Sequence, residues 1–251
     1  MNSNLNSSDH AGVQRYHRSV RSGLRAIALV ARASPYVVLI QAPLDRAIEI
    51  ARRQVERYPS IGVDHSTRTA LRKVGQPAVQ MVIMPPDGDK VSLVLLSNVI
   101  PNEREQWQLA LDPDWPLVWR HYQLAGGRGE AITWRLNEQI RAHYRCRINR
   151  LITGRGGQPR PGEKLYQLPA AAAREQLLKL ADHLTHYPGF SGIRQDVFEL
   201  AQHSSKVWRS THPQEPAPLW PRMPYLRFRT PETADLANLP KGDLHEIETE
   251  N

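Results

Sequence analysis

Two apolar runs joined by a short polar turn constrain the fold more than any other stretch of this chain. The runs are AVQMVIM at 78–84 and KVSLVLLS at 90–97, with PPDGD between them. Because proline, aspartate and glycine favour turns, this pattern predicts a β-hairpin. A second hairpin is predicted where LVWRHYQL (117–124) and AITWRL (131–136) flank the glycine-rich AGGRGE. Together with YVVLI at 36–40, these runs predict about five strands.

Helical patterns precede and follow these strands. The clearest is LDRAIEIARRQVERYP (44–59), whose apolar residues recur at helical spacing, with acids early and arginines late as the helix dipole favours. Further helices are predicted over 13–32, 66–74, 137–152, 170–186 and 195–208. The predicted fold class is α+β: a mostly antiparallel sheet of about five strands built from two hairpins, with helices packed on it and a helical C-terminal half.

Composition divides the chain into four predicted regions. Residues 1–12 are polar and are predicted to be disordered, and 13–210 are predicted to form a single α+β domain that binds nucleic acid. Residues 211–230 are rich in proline and predict an extended segment. Residues 231–251 hold six acids against Lys241 alone, and they predict a disordered acidic tail.

The compartment predicted from the sequence is the cytoplasm. Cys146 is the single cysteine, so no disulfide within the chain and no cysteine-based zinc site is expected. The start, MNSNLNSSDH, lacks the apolar region of a signal peptide. The apolar runs are also too short to span a membrane, so no membrane association is expected.

Net charge favours a polyanionic partner. Arginine and lysine number 33 against 25 aspartates and glutamates, giving +8 and a pI near 9.9. Because the segment from residue 231 carries −5, residues 1–230 carry +13. A body this basic attracts nucleic acid, DNA or RNA, through its phosphates.

The helix predicted over 137–152 concentrates this charge. Its apolar residues fall in one sector of the helical wheel, and arginines flank that sector on both sides. A glycine-rich loop, TGRGGQPRPGEK, follows it, and a second basic stretch lies near the N-terminus. The residues predicted to bind nucleic acid are Arg18, Arg21, Arg25, Arg141, Arg145, Arg147, Arg150, Arg155, Arg160 and Lys164.

Two of these basic features have a plain structural alternative. The glycines of the loop after the arginine helix suit a phosphate cradle, but they also suit a helix C-cap and a surface loop. MPYLRFR (223–229) alternates aromatics with arginines, as at sites that stack unpaired bases. The alternative is a strand with buried aromatic rings and exposed arginines.

Residue patterns that suggest chemistry are sparse. His183 and His186 have a spacing that suits two metal ligands, although no third ligand accompanies them. The aspartates of PPDGDK suit turn chemistry better than a metal pair, and Asp64 suits a helix N-cap. Cys146 lies among arginines, but no histidine and asparagine accompany it as a nucleophilic cysteine would need. No catalytic residue, metal or cofactor is therefore predicted.

Three functions remain open at this point. The leading hypothesis is a non-enzymatic nucleic-acid-binding accessory protein, and an arginine-rich chain of this kind suits a plasmid or other mobile element. The second is a metal-independent nuclease that uses His143 and Tyr144 beside Arg147 and Arg150. The third is an interaction subunit whose basic face meets an acidic protein partner.

Overall fold

The computed structural model describes residues 15–102, 104–126, 131–155, 168–226 and 230–239. Its strands there are β1 (Arg15–His17), β2 (Tyr36–Pro43), β3 (Gln80–Ile83), β4 (Lys90–Ser97), β5 (Gln108–Leu109), β6 (Val118–Trp119), β7 (Tyr122–Ala125), β8 (Thr133–Leu136) and β9 (Thr233–Asp235). Its helices there are α1 (Val20–Ala31), α2 (Ala47–Arg57), α3 (His65–Lys73), α4 (Glu138–Thr153), α5 (Ala170–Thr185) and α6 (Ser191–Thr211). The predicted α+β class and helical C-terminal half are confirmed.

Polar side chains fix where three of these helices begin. The side chain of Ser19 accepts a hydrogen bond from Ser22 N at the start of α1. Asp64 accepts one from Thr67 N at 2.8 Å before α3, and Asn137 accepts one from the backbone at the start of α4. Such caps satisfy amide groups that the first helical turn leaves unpaired. The N-cap role predicted for Asp64 is confirmed.

The chain divides into two compact units. Unit 1 comprises Met1–Leu117, Gly127–Ile132 and Arg229–Asn251, and unit 2 comprises Val118–Gly126 and Thr133–Phe228. Two compact units are compatible with one domain or with two, so the single domain predicted over 13–210 stays a prediction.

Unit 1 contains a six-stranded mixed sheet. Its strand order is β5-β2-β4-β3-β1-β9, with β1 parallel to β3 and the other pairs antiparallel. The hairpin predicted at PPDGD is confirmed: β3 pairs with β4, and the left-handed Gly88 (φ 58°) lies in the turn between them. Every residue of β4 from Val91 to Ser97 is buried, which explains its continuous apolar sequence.

Unit 2 combines a three-stranded antiparallel sheet with three helices. Its strand order is β6-β7-β8, and helices α4, α5 and α6 follow. Trp134 on β8, Ile148 on α4 and Leu177 on α5 are fully buried. Helix α6 begins very close to β8, since a Cβ on Gly192 would lie 2.6 Å from the carbonyl oxygen of Trp134.

The two predicted hairpins belong to different sheets, and one predicted strand is divided. LVWRHYQL forms β6 and β7, which are joined by a tight turn in which Arg120 has φ 51°. The sequence LVWRHYQL is rich in aromatic residues and contains neither glycine nor proline, so it predicts one continuous strand. The hairpin of β7 with β8 is as predicted.

The two ends of the described chain also differ from their predictions. The helix predicted from residue 13 begins only at Val20, because Arg15–His17 form β1. Within the segment predicted as a disordered tail, Thr233–Asp235 form β9 against β1, and Leu236 is fully buried. Apolar residues in this acidic segment therefore attach its first part to the sheet. Residues 1–12 and 240–251 lie outside the described residues.

No helix among the described residues is both long enough and apolar enough to cross a lipid bilayer.

Candidate nucleic-acid interface

The excess positive charge of the chain belongs entirely to unit 2. Counted along the sequence, unit 2 holds 16 arginines and lysines against seven aspartates and glutamates, a formal charge of +9. Unit 1 holds 17 against 18, a formal charge of −1. Because an attractive field for polyanions needs an excess of cations, unit 2 is the part of the chain suited to bind one.

The predicted nucleic-acid-binding residues are divided between the units. Arg18, Arg21 and Arg25 belong to unit 1, where the last two lie on α1, and the first two are exposed. Four of the others lie on α4 of unit 2, and exposed Arg155 follows its end. Arg160 and Lys164 lie outside the described residues. The structure thus groups the predicted arginines of α4 and leaves those near α1 in the nearly neutral unit.

Helices α4 and α6 bring a basic cluster together. Asn149 Oδ1 on α4 lies 2.8 Å from His203 Nε2 on α6. Burial lowers the pKa of His203, and the positive charges of Arg145 and Lys206 lower it further. Arg145 and Lys206 are exposed and have no ion pair among the described residues. Arg145, His203 and Lys206 thus form a basic cluster where α4 meets α6.

Arg141, at the other end of the same helix face, is partly neutralised. Its Nη1 lies 3.9 Å from Oδ1 of the fully buried Asp196. That carboxylate is already engaged, because Oδ1 accepts a hydrogen bond from Arg135 Nε at 2.9 Å and Oδ2 accepts one from Leu136 N at 2.8 Å. Arg141 therefore contributes less free charge to the surface than Arg145 does.

A hydrogen-bonded relay runs from Tyr144 on α4 to Tyr187 and two histidines. Tyr144 Oη lies 2.8 Å from Tyr187 Oη and 3.3 Å from Nε2 of His183. Tyr187 Oη lies 3.3 Å from Nδ1 of His121. The four side chains form one chain, His183–Tyr144–Tyr187–His121, which we call the relay. Both histidines at its ends are exposed, so the relay opens to solvent at two points.

The two phenols of the relay remain protonated over the physiological range. Burial raises the pKa of Tyr144, although its bond to Tyr187 and the charge of Arg147 oppose that rise. Burial also raises the pKa of Tyr187, and its hydrogen bond to Tyr144 adds to the effect. Neutral phenols both donate and accept hydrogen bonds, so they suit proton transfer rather than nucleophilic attack.

The loop after α4 begins as a helix cap. Gly154 has φ 68°, and its amide donates to Arg150 O at 2.9 Å. The amide of Arg155 then donates to the Thr153 hydroxyl at 3.0 Å. This is the left-handed C-cap that the sequence offered as the structural alternative. Gly156 and Gly157, on which the phosphate cradle depends, lie outside the described residues.

The other residues that suggested chemistry lie in different surroundings. His183 belongs to the relay, whereas His186 Nδ1 lies 2.9 Å from the Asp182 carbonyl oxygen. Asp87 pairs with Lys90 in the β3–β4 turn. Within the described residues, no group of three or more histidine, cysteine, aspartate or glutamate side chains is placed to hold a metal ion. Cys146 is half-buried and lines a shallow hollow on α4 beside Arg145.

Sequence reasoning missed most of the relay. His121 lies 66 residues from Tyr187 along the chain, and Tyr144 lies 39 residues from His183. No local spacing pattern connects positions so far apart. The available signal was weaker: HLTHYPGF places a histidine and a tyrosine four residues apart at the end of a predicted helix.

No protein-family model matches the chain, and neither a curated protein nor a solved structure is significantly similar to it.

Proposed function

We propose that the protein binds nucleic acid through unit 2, with arginines of α4 and α6 contacting phosphates. The observation that supports this most is the confinement of the excess charge, +9, to this unit. Several of its cations, among them Arg145, Arg147 and Lys206, form no ion pair with the described carboxylates. Cations that are free of carboxylates release counterions from a nucleic acid when they bind it.

The role proposed is that of an accessory factor, in which phosphate contacts position the protein and base contacts are secondary. The arginines on and near α1 remain part of the proposal as a second, weaker contact region. We also still predict that a plasmid or other mobile element carries the gene, because the chain is rich in arginine.

Binding of labelled DNA and RNA over a range of salt concentrations tests this function. We expect log K to fall linearly with log salt concentration, by about 0.9 per phosphate contacted on duplex DNA. The triple variant Arg145→Gln, Arg147→Gln, Lys206→Gln is expected to reduce that slope by about two to three. Absence of binding to either polymer at low salt, with retention of an acidic polypeptide, would favour the protein-interaction hypothesis instead.

A matched control removes equal charge from unit 1. Arg32, Arg52 and Lys73 are exposed and form no ion pair among the described residues. Their replacement by glutamine is expected to leave the salt slope near its wild-type value. A separate double variant, Arg18→Gln with Arg21→Gln, measures whether the second contact region takes part.

The relay favours a second candidate function, a metal-independent nuclease. One terminal imidazole would take the proton of an attacking hydroxyl group at its outer nitrogen and pass the hydrogen of its inner nitrogen to the neighbouring phenol. The phenols would pass a proton on to the inner nitrogen of the other imidazole, whose outer N–H would give its proton to the leaving oxygen. Arg147, whose charge acts on Tyr144, would stabilise the phosphorane-like transition state. This assignment moves the acid and base roles from His143, which is exposed beside Tyr144, to His121 and His183.

Cleavage of labelled RNA and DNA in the presence of a chelator tests the nuclease. His183→Ala is expected to lower any cleavage rate by at least about 100-fold, as for the loss of a general acid or base. His186→Ala is the matched control, because His186 lies on the same turn outside the relay. Lack of cleavage in chelator, or equal loss in both variants, would exclude the relay from catalysis.

A further inference from the structure

A groove of about 980 Å³ lies between helix α6 and the proline-rich segment 212–226, which we call the arm. Helix α6 contributes Arg194, Phe198 and Arg209 to its lining, and the arm contributes Arg222 and Tyr225. All of these residues belong to unit 2. The groove therefore lies on the unit that carries the excess positive charge.

The arm is held at both ends, so the groove has a fixed wall. Near its start, Arg174 Nη2 donates a hydrogen bond to Pro216 O at 2.6 Å. At its end, Leu226 N donates to Gly189 O at 3.1 Å. Proline keeps the segment between these contacts extended without internal hydrogen bonds. A wall of this kind needs little ordering when a ligand binds.

The charge of the groove has a single sign. Arg194, Arg209 and Arg222 line it, and its lining contains no aspartate or glutamate. None of the three forms an ion pair among the described residues. A ligand that fits must therefore supply negative charge.

The groove also presents aromatic surface to solvent. Tyr225 is 75% exposed and Phe198 is 55% exposed, although large aromatic residues normally bury most of their area. The guanidinium carbon of Arg194 lies 3.4 Å from the Tyr225 ring centroid, an arrangement that orients the ring. Arginines that track a backbone, with rings on which bases stack, are the components of a site for unpaired nucleic acid.

We propose that this groove binds single-stranded nucleic acid, with bases stacked on Phe198 and Tyr225 and phosphates paired with the three arginines. The proposal rests on the nucleic-acid binding proposed above and specifies the form of the polymer. A duplex does not fit this chemistry, because its bases stack on each other and do not offer their faces. An acidic peptide would satisfy the arginines and leave both rings uncovered.

Fluorescence anisotropy with the full chain tests the proposal, using a labelled single strand of about ten nucleotides and a duplex of the same sequence. Tyr225→Ala and Phe198→Ala are each expected to weaken single-strand binding by about 5- to 100-fold, with the salt slope and duplex affinity unchanged. Arg222→Gln is expected to lower the single-strand salt slope by about 0.7. Tyr225→Phe keeps the ring and is expected to bind as the wild type does.

Trp115→Ala controls for loss of an exposed ring elsewhere, since Trp115 is 75% exposed and lies in unit 1. If the wild type binds nucleic acid but both alanine variants of the groove bind single strands normally, the groove proposal is overturned and the proposed function stands. If the wild type binds neither polymer at low salt, both fail. If poly-glutamate binds as tightly as the single strand, and this binding is weakened by Arg222→Gln but not by Tyr225→Ala, the groove proposal is overturned in favour of an acidic protein partner.

Discussion

The carboxylate of Asp196 on α6 and the guanidinium of Arg135 on β8 form the ion pair that joins the helix to the small sheet. Asp196 is fully buried, and it also accepts the amide proton of Leu136. Removing one partner of a buried pair leaves the other uncompensated, at a cost of about 3–5 kcal/mol. We expect Asp196→Asn to lower the free energy of unfolding by about 3 kcal/mol in urea denaturation.

Glu199 supplies the matched control for this prediction. It lies 3.7 Å from the same guanidinium but its side chain is 35% exposed. Solvent screens such a pair, so Glu199→Gln is expected to cost less than about 1 kcal/mol. Equal losses in the two variants would show that the burial of Asp196 adds nothing to the pair.

Gly192 marks the closest approach of α6 to β8. An added Cβ would lie 2.6 Å from the Trp134 carbonyl oxygen and 2.7 Å from Arg135 Cγ. Overpacking of this kind costs about 1–3 kcal/mol, and alanine regains about 1 kcal/mol of helix propensity. We therefore expect Gly192→Ala to lower the thermal midpoint, whereas Gln202→Ala, on an exposed turn of the same helix, leaves it unchanged or higher. A more stable Gly192→Ala variant would contradict the close packing.

Stability is expected to fall at alkaline pH because of the relay. The folded state raises the pKa of Tyr187 above its ordinary 10.0, so the unfolded chain releases this proton first as the pH rises. Unfolding then releases a proton, and its free energy decreases above about pH 10. Urea denaturation at pH values on both sides of 10 should show a shallower decrease in Tyr187→Phe. Tyr225→Phe, on an exposed side chain, is expected to behave as the wild type does.

The free energy of unfolding is also expected to fall on mild acidification, because of His17 in unit 1. Burial lowers the pKa of His17 below its ordinary 6.5, and its Nδ1 lies 2.7 Å from the Ser22 hydroxyl oxygen. Below about pH 6.5 the unfolded chain takes up the proton first, so unfolding becomes easier as the pH falls. His17→Gln should reduce this pH dependence, and exposed His65→Gln should not. An unchanged dependence in His17→Gln would assign it to other groups.

Local pattern accounts for much of this fold and for little of its site. Helix α4 was predictable because its apolar residues recur at helical spacing, and the β3–β4 hairpin because PPDGD has turn chemistry. Strand β9 was not predictable for two reasons. It lies in an acidic segment, and it pairs with β1, from which it is separated by about 218 positions along the chain. The division of the charge between two units also depends on which segments pack together, and composition does not contain that information.

The hydrogen-bond directions in the relay are coupled from one end to the other. Its three hydrogen bonds need three hydrogens, and the two phenols supply two of them. One of the two imidazole nitrogens that face the phenols must supply the third, and the other must accept. One end of the relay thus donates and the other accepts, so a hydrogen gained by the accepting nitrogen requires the donating nitrogen at the far end to give one up, or a bond between them breaks.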